Sequence, residues 1–151
     1  MQQAIAARTP VHLWIVGILA TLWNCFGAYD YVQTRMRNMD YIKSSMPGDD
    51  TNAALAWIDS MPMYAQIGWG LGVWLGLLGS VLLLLRSRWA VMSLGLSMIG
   101  AIVSIGYQIA LAQPLAGADS PMMKVMQYGI IVVTIALFLY ARAMEKKGLL
   151  R

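Results

Sequence analysis

Residues 63–85 read MYAQIGWGLGVWLGLLGSVLLLL and contain no charged side chain. An α-helix rises about 1.5 Å per residue, so this stretch would cross the roughly 30 Å hydrocarbon core of a bilayer with some tilt. A helix is required there because backbone groups that face lipid must form hydrogen bonds within their own segment. Pro62, which precedes the stretch, suits a helix start. The stretch therefore predicts a membrane-spanning helix.

Three more charge-poor stretches of similar length flank this one. The chain of 151 residues is 59% hydrophobic and 12% charged, whereas about a quarter of the residues in a soluble domain are charged. Four helices of about 20 residues each account for most of these residues. We therefore predict an all-α fold, a single integral membrane domain (1–151) that forms a four-helix transmembrane bundle, with spans at about 10–30, 62–85, 89–112 and 121–143.

The distribution of Lys and Arg predicts the orientation of the bundle. Seven fall on the side that holds both termini, namely Arg8, Arg86, Arg88, Arg142, Lys146, Lys147 and Arg151, and four on the other, namely Arg35, Arg37, Lys43 and Lys124. Cytoplasmic segments carry the excess of basic residues. Both termini are therefore predicted to be cytoplasmic and the loop at about 31–61 to lie outside. Because the basic residues form short clusters and no continuous stripe, no nucleic-acid partner is expected.

The predicted outer loop is the one connection with room for structure of its own. Residues 46–50 predict a turn, and Thr51 is expected to cap a short helix that follows. Apolar residues before the turn recur every three or four positions, which predicts that the first helix continues outward as an amphipathic extension. The apolar residues of the extension are Tyr29, Val32, Met36, Met39 and Ile42, and those of the short helix are Leu55, Trp57 and Ile58.

Small residues recur with helical spacing inside the spans. Such residues let helix backbones approach closely in lipid, so they predict a compact antiparallel bundle. Part of the glycine ridge on the second span is alternatively expected to meet another subunit. The predicted packing residues are Gly68, Gly72 and Gly76 on the second span and Ser93, Ser97, Gly100 and Ser104 on the third.

Polar side chains collect in the outer parts of the predicted spans. Polar groups held below a membrane surface are costly unless they pair or meet water, which makes them candidates for a solute-binding pocket. The alternative is that they anchor helices at the headgroup boundary. We expect Asp30 to pair with Lys124, with Arg35 as the competing partner. The remaining candidates from this reasoning are Asn24, Gln66, Gln108 and Gln127.

Catalytic and metal-binding patterns are weak in this sequence. It has one Cys, Cys25, and one His, His12, and it has no standard nucleophile, phosphate loop or carboxylate pair, so we predict that it is not an enzyme and has no cofactor. Thioethers suit Cu(I), but methionine also serves as a flexible apolar filler. We therefore predict no metal site, and the weak Cu(I) candidates are Met36, Met39, Met61 and Met63.

Several stretches resemble a group of small proteobacterial inner-membrane proteins of about this length. The similar stretches are LWNCFGAYDY at 22–31, GVW at 72–74, LLLR at 83–86 and RWAV at 88–91. The resemblance covers the first three spans and implies a multi-pass protein of the bacterial inner membrane. Such proteins often carry the label "sugar transporter". The matching positions add Tyr29 and Tyr31 to Asn24 and Asp30 as solute-binding candidates.

Two functions remain open on this reasoning. The favoured one is an accessory or assembly subunit that packs against a membrane partner or a second copy through the glycine ridge or the outer loop. The alternative is a carrier for a small solute such as a sugar, which binds at the outward-facing polar cluster. The subunit is favoured because four unbroken helices without inverted repeats offer little material for alternating access.

Overall fold

The computed structural model describes residues 10–45, 50–113 and 121–151. These residues form six α-helices and no strand. Four of the helices are long and apolar enough to cross a membrane. The predicted all-α four-helix bundle is thereby confirmed, and the spans support a multi-pass membrane protein. The helices are α1 (Val11–Arg35), α2 (Met39–Ser45), α3 (Thr51–Asp59), α4 (Met63–Leu84), α5 (Trp89–Ala110) and α6 (Pro121–Lys146).

The four long helices pack in the order α1, α4, α5, α6. The interface between α4 and α5 is the most extensive, while α1 packs on α4 and α6 packs on α5. We call the end of the bundle where α1 begins and α6 ends the terminal end, and the opposite end, which carries α2 and α3, the loop end. The two flanking helices, α1 and α6, share no extended interface.

Backbone-to-backbone proximity defines the interface between α4 and α5. A Cβ atom placed on Gly100 would lie 2.6 Å from the carbonyl oxygen of Gly68 and 2.8 Å from the amide nitrogen of Gly72. Ser97 Oγ donates a 2.6 Å hydrogen bond to Gly72 O, and Ser93 Oγ donates one of 2.8 Å to Leu75 O. The glycine ridge therefore packs against α5 of the same chain, and the suggestion that it meets another subunit does not apply to these faces.

The first helix ends earlier than the predicted extension. Helix α1 reaches Arg35, and the chain then reverses at Arg37, which has a φ of 55°. Asn38 N donates to Gln33 O at 3.1 Å, and Asn38 Oδ1 accepts from Tyr41 N at 3.2 Å. Because Asn38 closes one helix and starts the next, α2 is a separate helix that folds back over the bundle, where Ile42 is buried.

The start of α3 also differs from the prediction. Asp50, and not Thr51, is the N-cap, because its side chain accepts hydrogen bonds from the amides of Asn52 and Ala53. A carboxylate satisfies helix amides there and complements the positive helix N-terminus. Most of the turn predicted at 46–50 lies outside the described residues, since only Asp50 of that run is described.

The terminal end is closed by residues 149–151. Leu149 and Leu150 are buried in a cluster that includes Leu13 and Leu83. Arg86 follows α4 with a φ of 59°, and its carbonyl accepts a 2.6 Å hydrogen bond from Arg151 N. The chain after α6 is therefore fixed to the turn between α4 and α5, which ties the last helix to the middle of the bundle.

Candidate functional site at the loop end

A cavity of about 710 Å³ lies in the loop-end half of the bundle. Helices α1, α5 and α6 supply its walls together with part of α4, and α2 and α3 cover it. This volume falls within the range of about 300–1,000 Å³ that is usual for small-molecule pockets. Five of the eight solute-binding candidates line it, namely Asn24, Asp30, Gln108, Lys124 and Gln127.

Asn24 lies deep in the cavity, where α1 meets α4. Its Nδ2 donates to Ala20 O at 2.8 Å within α1. A Cβ placed on Gly76 would lie only 2.5 Å from Asn24 Oδ1 and 2.9 Å from Ser97 Oγ. The missing side chain at Gly76 thus makes the space that Asn24 occupies, and helix packing determines the position of this cavity residue.

Asp30 is half-buried in the wall formed by α1, and its partner is a tyrosine. Tyr41 of α2 donates a 2.8 Å hydrogen bond to Asp30 Oδ1. The predicted ion pair of Asp30 with Lys124 or Arg35 is not formed: among the described residues, neither cation lies within 4.0 Å of the Asp30 carboxylate, and Arg37 pairs with Asp59. Asp30 and Lys124 nevertheless line the same cavity.

The hydroxyl of Tyr41 keeps its proton over a wide pH range. Desolvation by burial raises the pKa of Tyr41 above 10.0, and its hydrogen bond to Asp30 raises it further, while a hydrogen bond to Ser45 acts in the opposite direction. Tyr41 is therefore a hydrogen-bond donor at neutral pH. It ties α2, part of the cover, to the α1 wall.

The wall formed by α5 and α6 carries two loosely held amides. Gln108 Nε2 lies 3.4 Å from Ser104 Oγ, and Gln127 Nε2 lies 3.5 Å from Gln108 Oε1. Hydrogen bonds of this length are weak, since N–H···O bonds usually measure about 2.7–3.2 Å. Both amides can therefore exchange these contacts for stronger ones to a bound molecule.

The cover of the cavity is apolar and is held at both edges. Ile42 of α2 and Ile58 of α3 are buried, and both line the cavity. Trp57 Nε1 donates a 2.8 Å hydrogen bond to Gln113 O, just beyond α5. Helix α3 is thereby attached to the α5 side, whereas Tyr41 attaches α2 to the α1 side.

Three sequence-predicted candidates lie outside the cavity. The ring of Tyr31 packs edge-on against Trp69 at 4.8 Å between centroids. Gln66 Oε1 accepts from Arg35 Nη1 at 3.0 Å, so Arg35 pairs with an amide. Tyr29 Oη accepts a 2.9 Å hydrogen bond from Gln33. These three side chains connect helices or neighbouring turns and do not face the cavity.

The four weak Cu(I) candidates are not gathered at one place. Met61 is buried and lines the cavity, whereas Met36, Met39 and Met63 are exposed and do not. Within the described ranges, no group of three or more His, Cys, Asp or Glu residues is placed to hold a metal ion. Met61 lines the cavity together with Met122, Met123 and Met126.

Sequence reasoning missed several cavity residues, of which Tyr41 and Trp57 are the most informative. Tyr41 sits in the segment that was expected to continue the first helix outward, and Trp57 sits in the short helix predicted after the turn. Asn38, a strong N-cap residue type, is the signal for a second helix start at α2. No local signal indicates that Tyr41 reaches Asp30, eleven positions earlier, because that contact depends on the chain reversal at Arg37.

One side of the cavity, between α1 and α6, is not closed by helix packing. Trp23 and Phe26 of α1 and Met126 of α6 line the cavity and remain 39%, 58% and 40% exposed. At the terminal end the two helices do meet, where Tyr140 Oη lies 2.6 Å from His12 Nδ1. The cavity therefore opens sideways in its loop-end half and is closed at the terminal end.

Comparison with protein-family models, curated proteins and solved structures finds no match for this chain. The resemblance to small inner-membrane proteins labelled "sugar transporter" therefore stays a prediction. The geometry of the cavity is what bears on function.

Proposed function

We propose that this protein is a solute-binding membrane protein, a carrier in the broad sense, whose site is the cavity at the loop end. The observation that supports this proposal is the convergence of Asn24, Asp30, Gln108, Lys124 and Gln127, from three different spans, on one cavity. Residues that only anchored helices at a headgroup boundary would have no reason to face a common space. The sequence alone favoured an accessory subunit over a solute carrier, and the proposal places the carrier first.

The excess of basic residues near the terminal end supports a definite orientation. Under the rule that cytoplasmic segments carry more Lys and Arg, the loop end faces the exterior. The cavity then opens on the outer leaflet, and the membrane we propose is the bacterial inner membrane. A solute would be taken from the outer side.

A binding screen tests the proposal. The purified full-length chain is heated in mild detergent with a panel of small molecules, including glucose, an amino acid and an alkyl glycoside. A ligand at 100 times its Kd stabilises a protein by about 2.7 kcal/mol, so a hit raises Tm measurably. We expect Asp30→Asn and Gln108→Ala to weaken that shift.

The control variant is Gln66→Ala, since Gln66 was an equally good candidate by sequence but lies outside the cavity. It should keep the full ligand-induced shift. A hit that Gln66→Ala abolishes while Asp30→Asn and Gln108→Ala preserve it would place the site elsewhere and contradict the proposal.

An accessory subunit remains the second candidate because of the outer face of α6. Within its apolar segment no residue is buried, and exposed apolar side chains recur there in the three-and-four spacing of a helix-packing seam. Co-purification in mild detergent followed by mass spectrometry tests this function, with a stoichiometric partner as the expected result. The seam consists of Val125, Val132, Ile135 and Leu139, together with Tyr128, which also lines the cavity.

A further inference from the structure

The lining of the cavity is polar near the loop end and mainly apolar farther from it. Near the loop end its lining includes the charged residues Asp30 and Lys124 and the amide residues Gln108 and Gln127. Its α6 lining runs from Met122 to Thr134, which corresponds to about 18 Å along a helix. Half of the hydrocarbon core measures about 15 Å, so the cavity would extend to about the midplane of a bilayer whose outer boundary lies near the start of α6.

The deep part of the cavity offers few free polar groups. Asn24 Nδ2 is bonded to Ala20 O, and Thr134 Oγ1 is bonded to Ile130 O and Ile131 O. The other deep lining is mainly apolar and includes Phe26, Trp69, Val73, Ile105 and Ile130. A molecule with hydroxyl groups along its whole length would leave several of them without partners there, at a cost of about 1–3 kcal/mol each.

The side opening between α1 and α6 connects this apolar depth with the surrounding lipid. Phe26 and Met126 stand at the opening and are largely exposed. Gly27 also lines the cavity, and a Cβ placed on it would meet no atom within 4 Å. A molecule already dissolved in the outer leaflet can therefore reach the cavity along the membrane plane, without crossing the cover formed by α2 and α3.

Resting on the proposed function, we infer that the ligand is a single-chain amphiphile that enters from the bilayer between α1 and α6. Its chain lies in the apolar depth, and its head meets Asp30, Gln108 and Gln127. One carboxylate and one ammonium line the polar end, so a head that is uncharged or zwitterionic is matched best. The methionine lining accommodates chains of varied shape, because thioether side chains repack easily.

Photo-crosslinking tests the inference on the full chain in nanodiscs. The probe is a lysophosphatidylcholine with a diazirine near the end of its chain, and the labelled residues are mapped by mass spectrometry. We expect labels to concentrate in cavity-lining segments 101–109 and 126–134, above the labelling of the outward-facing residue Leu96. Unlabelled lysophosphatidylcholine should compete for this labelling in the wild-type protein.

Two matched glycine variants locate the entry. Gly27→Phe places a ring in the opening, whereas Gly129→Phe places the same ring on α6 outside the cavity lining. Neither Cβ meets an atom within 4 Å, so both variants should fold, which circular dichroism and Tm verify. We expect Gly27→Phe to lower cavity labelling about tenfold, because its ring would occupy space that the ligand needs at the opening, and Gly129→Phe to leave it unchanged.

The possible outcomes separate this inference from the proposed function. If a water-soluble diazirine derivative of glucose labels the cavity and the lysolipid does not, the cavity is a solute site and the amphiphile inference is wrong. If neither probe labels the cavity above the lipid-facing background, or if a second copy of the chain crosslinks there instead, both are wrong. Equal labelling of Gly27→Phe and Gly129→Phe overturns lateral entry.

Discussion

Gly100→Ala adds a single methyl group at the interface of α4 and α5, and the structure predicts that it destabilises the fold. The added methyl would lie 2.6 Å from Gly68 O, whereas ordinary contact begins at 3.4 Å. Both this oxygen and the nearby Gly72 nitrogen are backbone atoms, which cannot rotate away as a side chain can. Helices α4 and α5 would have to separate by about 0.8 Å, so we expect the free energy of unfolding to fall by about 1–3 kcal/mol.

The matched control is Gly106→Ala, on the same helix. A Cβ at Gly106 meets nothing within 4 Å, and alanine favours the helix over glycine by about 0.5–1 kcal/mol, so this variant should gain stability. Both are measured by SDS titration in mixed micelles, followed by circular dichroism and tryptophan fluorescence. Equal unfolding midpoints for the two variants would refute the close approach of α4 and α5.

Three further predictions concern other parts of the molecule. In a Cys25→Ser background, a membrane-impermeant maleimide added outside intact cells should label Asp40→Cys and spare Lys147→Cys, and the reverse pattern would invert the proposed orientation. The pKa of Tyr41 is raised in the folded protein, so the stability that its proton adds is complete below pH 10.0 and is lost as the pH rises through the folded pKa. In the wild-type protein, the unfolding midpoint should therefore fall between about pH 9 and 11, and Tyr41→Phe should make that fall smaller. If the midpoint of Tyr41→Phe falls as much as that of the wild type, another group causes the loss of stability. Leu150→Ala, in the buried cluster at the terminal end, should lower the free energy of unfolding by about 2–5 kcal/mol. The control Leu139→Ala, at an exposed position, should change it by no more than about 0.5 kcal/mol. If denaturant titrations give similar losses for both variants, residues 149–151 do not pack as described.

The spans were predictable from sequence because charge-free runs of hydrocarbon length are a strong local signal. Three predicted starts, at 62, 89 and 121, lie within one residue of the observed starts of α4, α5 and α6. The first predicted start, at about 10, is equally close to Val11, but the helical continuation predicted through Ile42 is interrupted, because α1 ends at Arg35. Helix ends in the polar region are set by reversals such as that at Arg37, where a non-glycine residue takes a positive φ; Asn38 signals the new helix start but not the direction in which the chain turns.

The candidate site was predictable only in part. Depth along a helix follows from sequence, so the polar groups were expected near the outer ends of the spans, and five of the candidates do line one cavity. The rotation of each helix about its axis does not follow from depth. That rotation turns Tyr31 toward Trp69 and Gln66 toward Arg35. The partner of Asp30 depended in addition on α2 folding back, which brings Tyr41 to a place where sequence reasoning expected Lys124.

The two helices that cover the cavity are attached to opposite walls. Tyr41 holds α2 to α1 through Asp30, and Trp57 holds α3 to the chain beyond α5 through Gln113. An exposed ion pair at 3.0 Å joins Arg37, in the turn between α1 and α2, to Asp59, the last residue of α3. Exposed pairs of this kind contribute only about 0–1 kcal/mol and weaken with salt. Because α2 and α3 are each hydrogen-bonded to a different wall, any movement of the α1 wall away from α5 would pull the two covering helices in opposite directions.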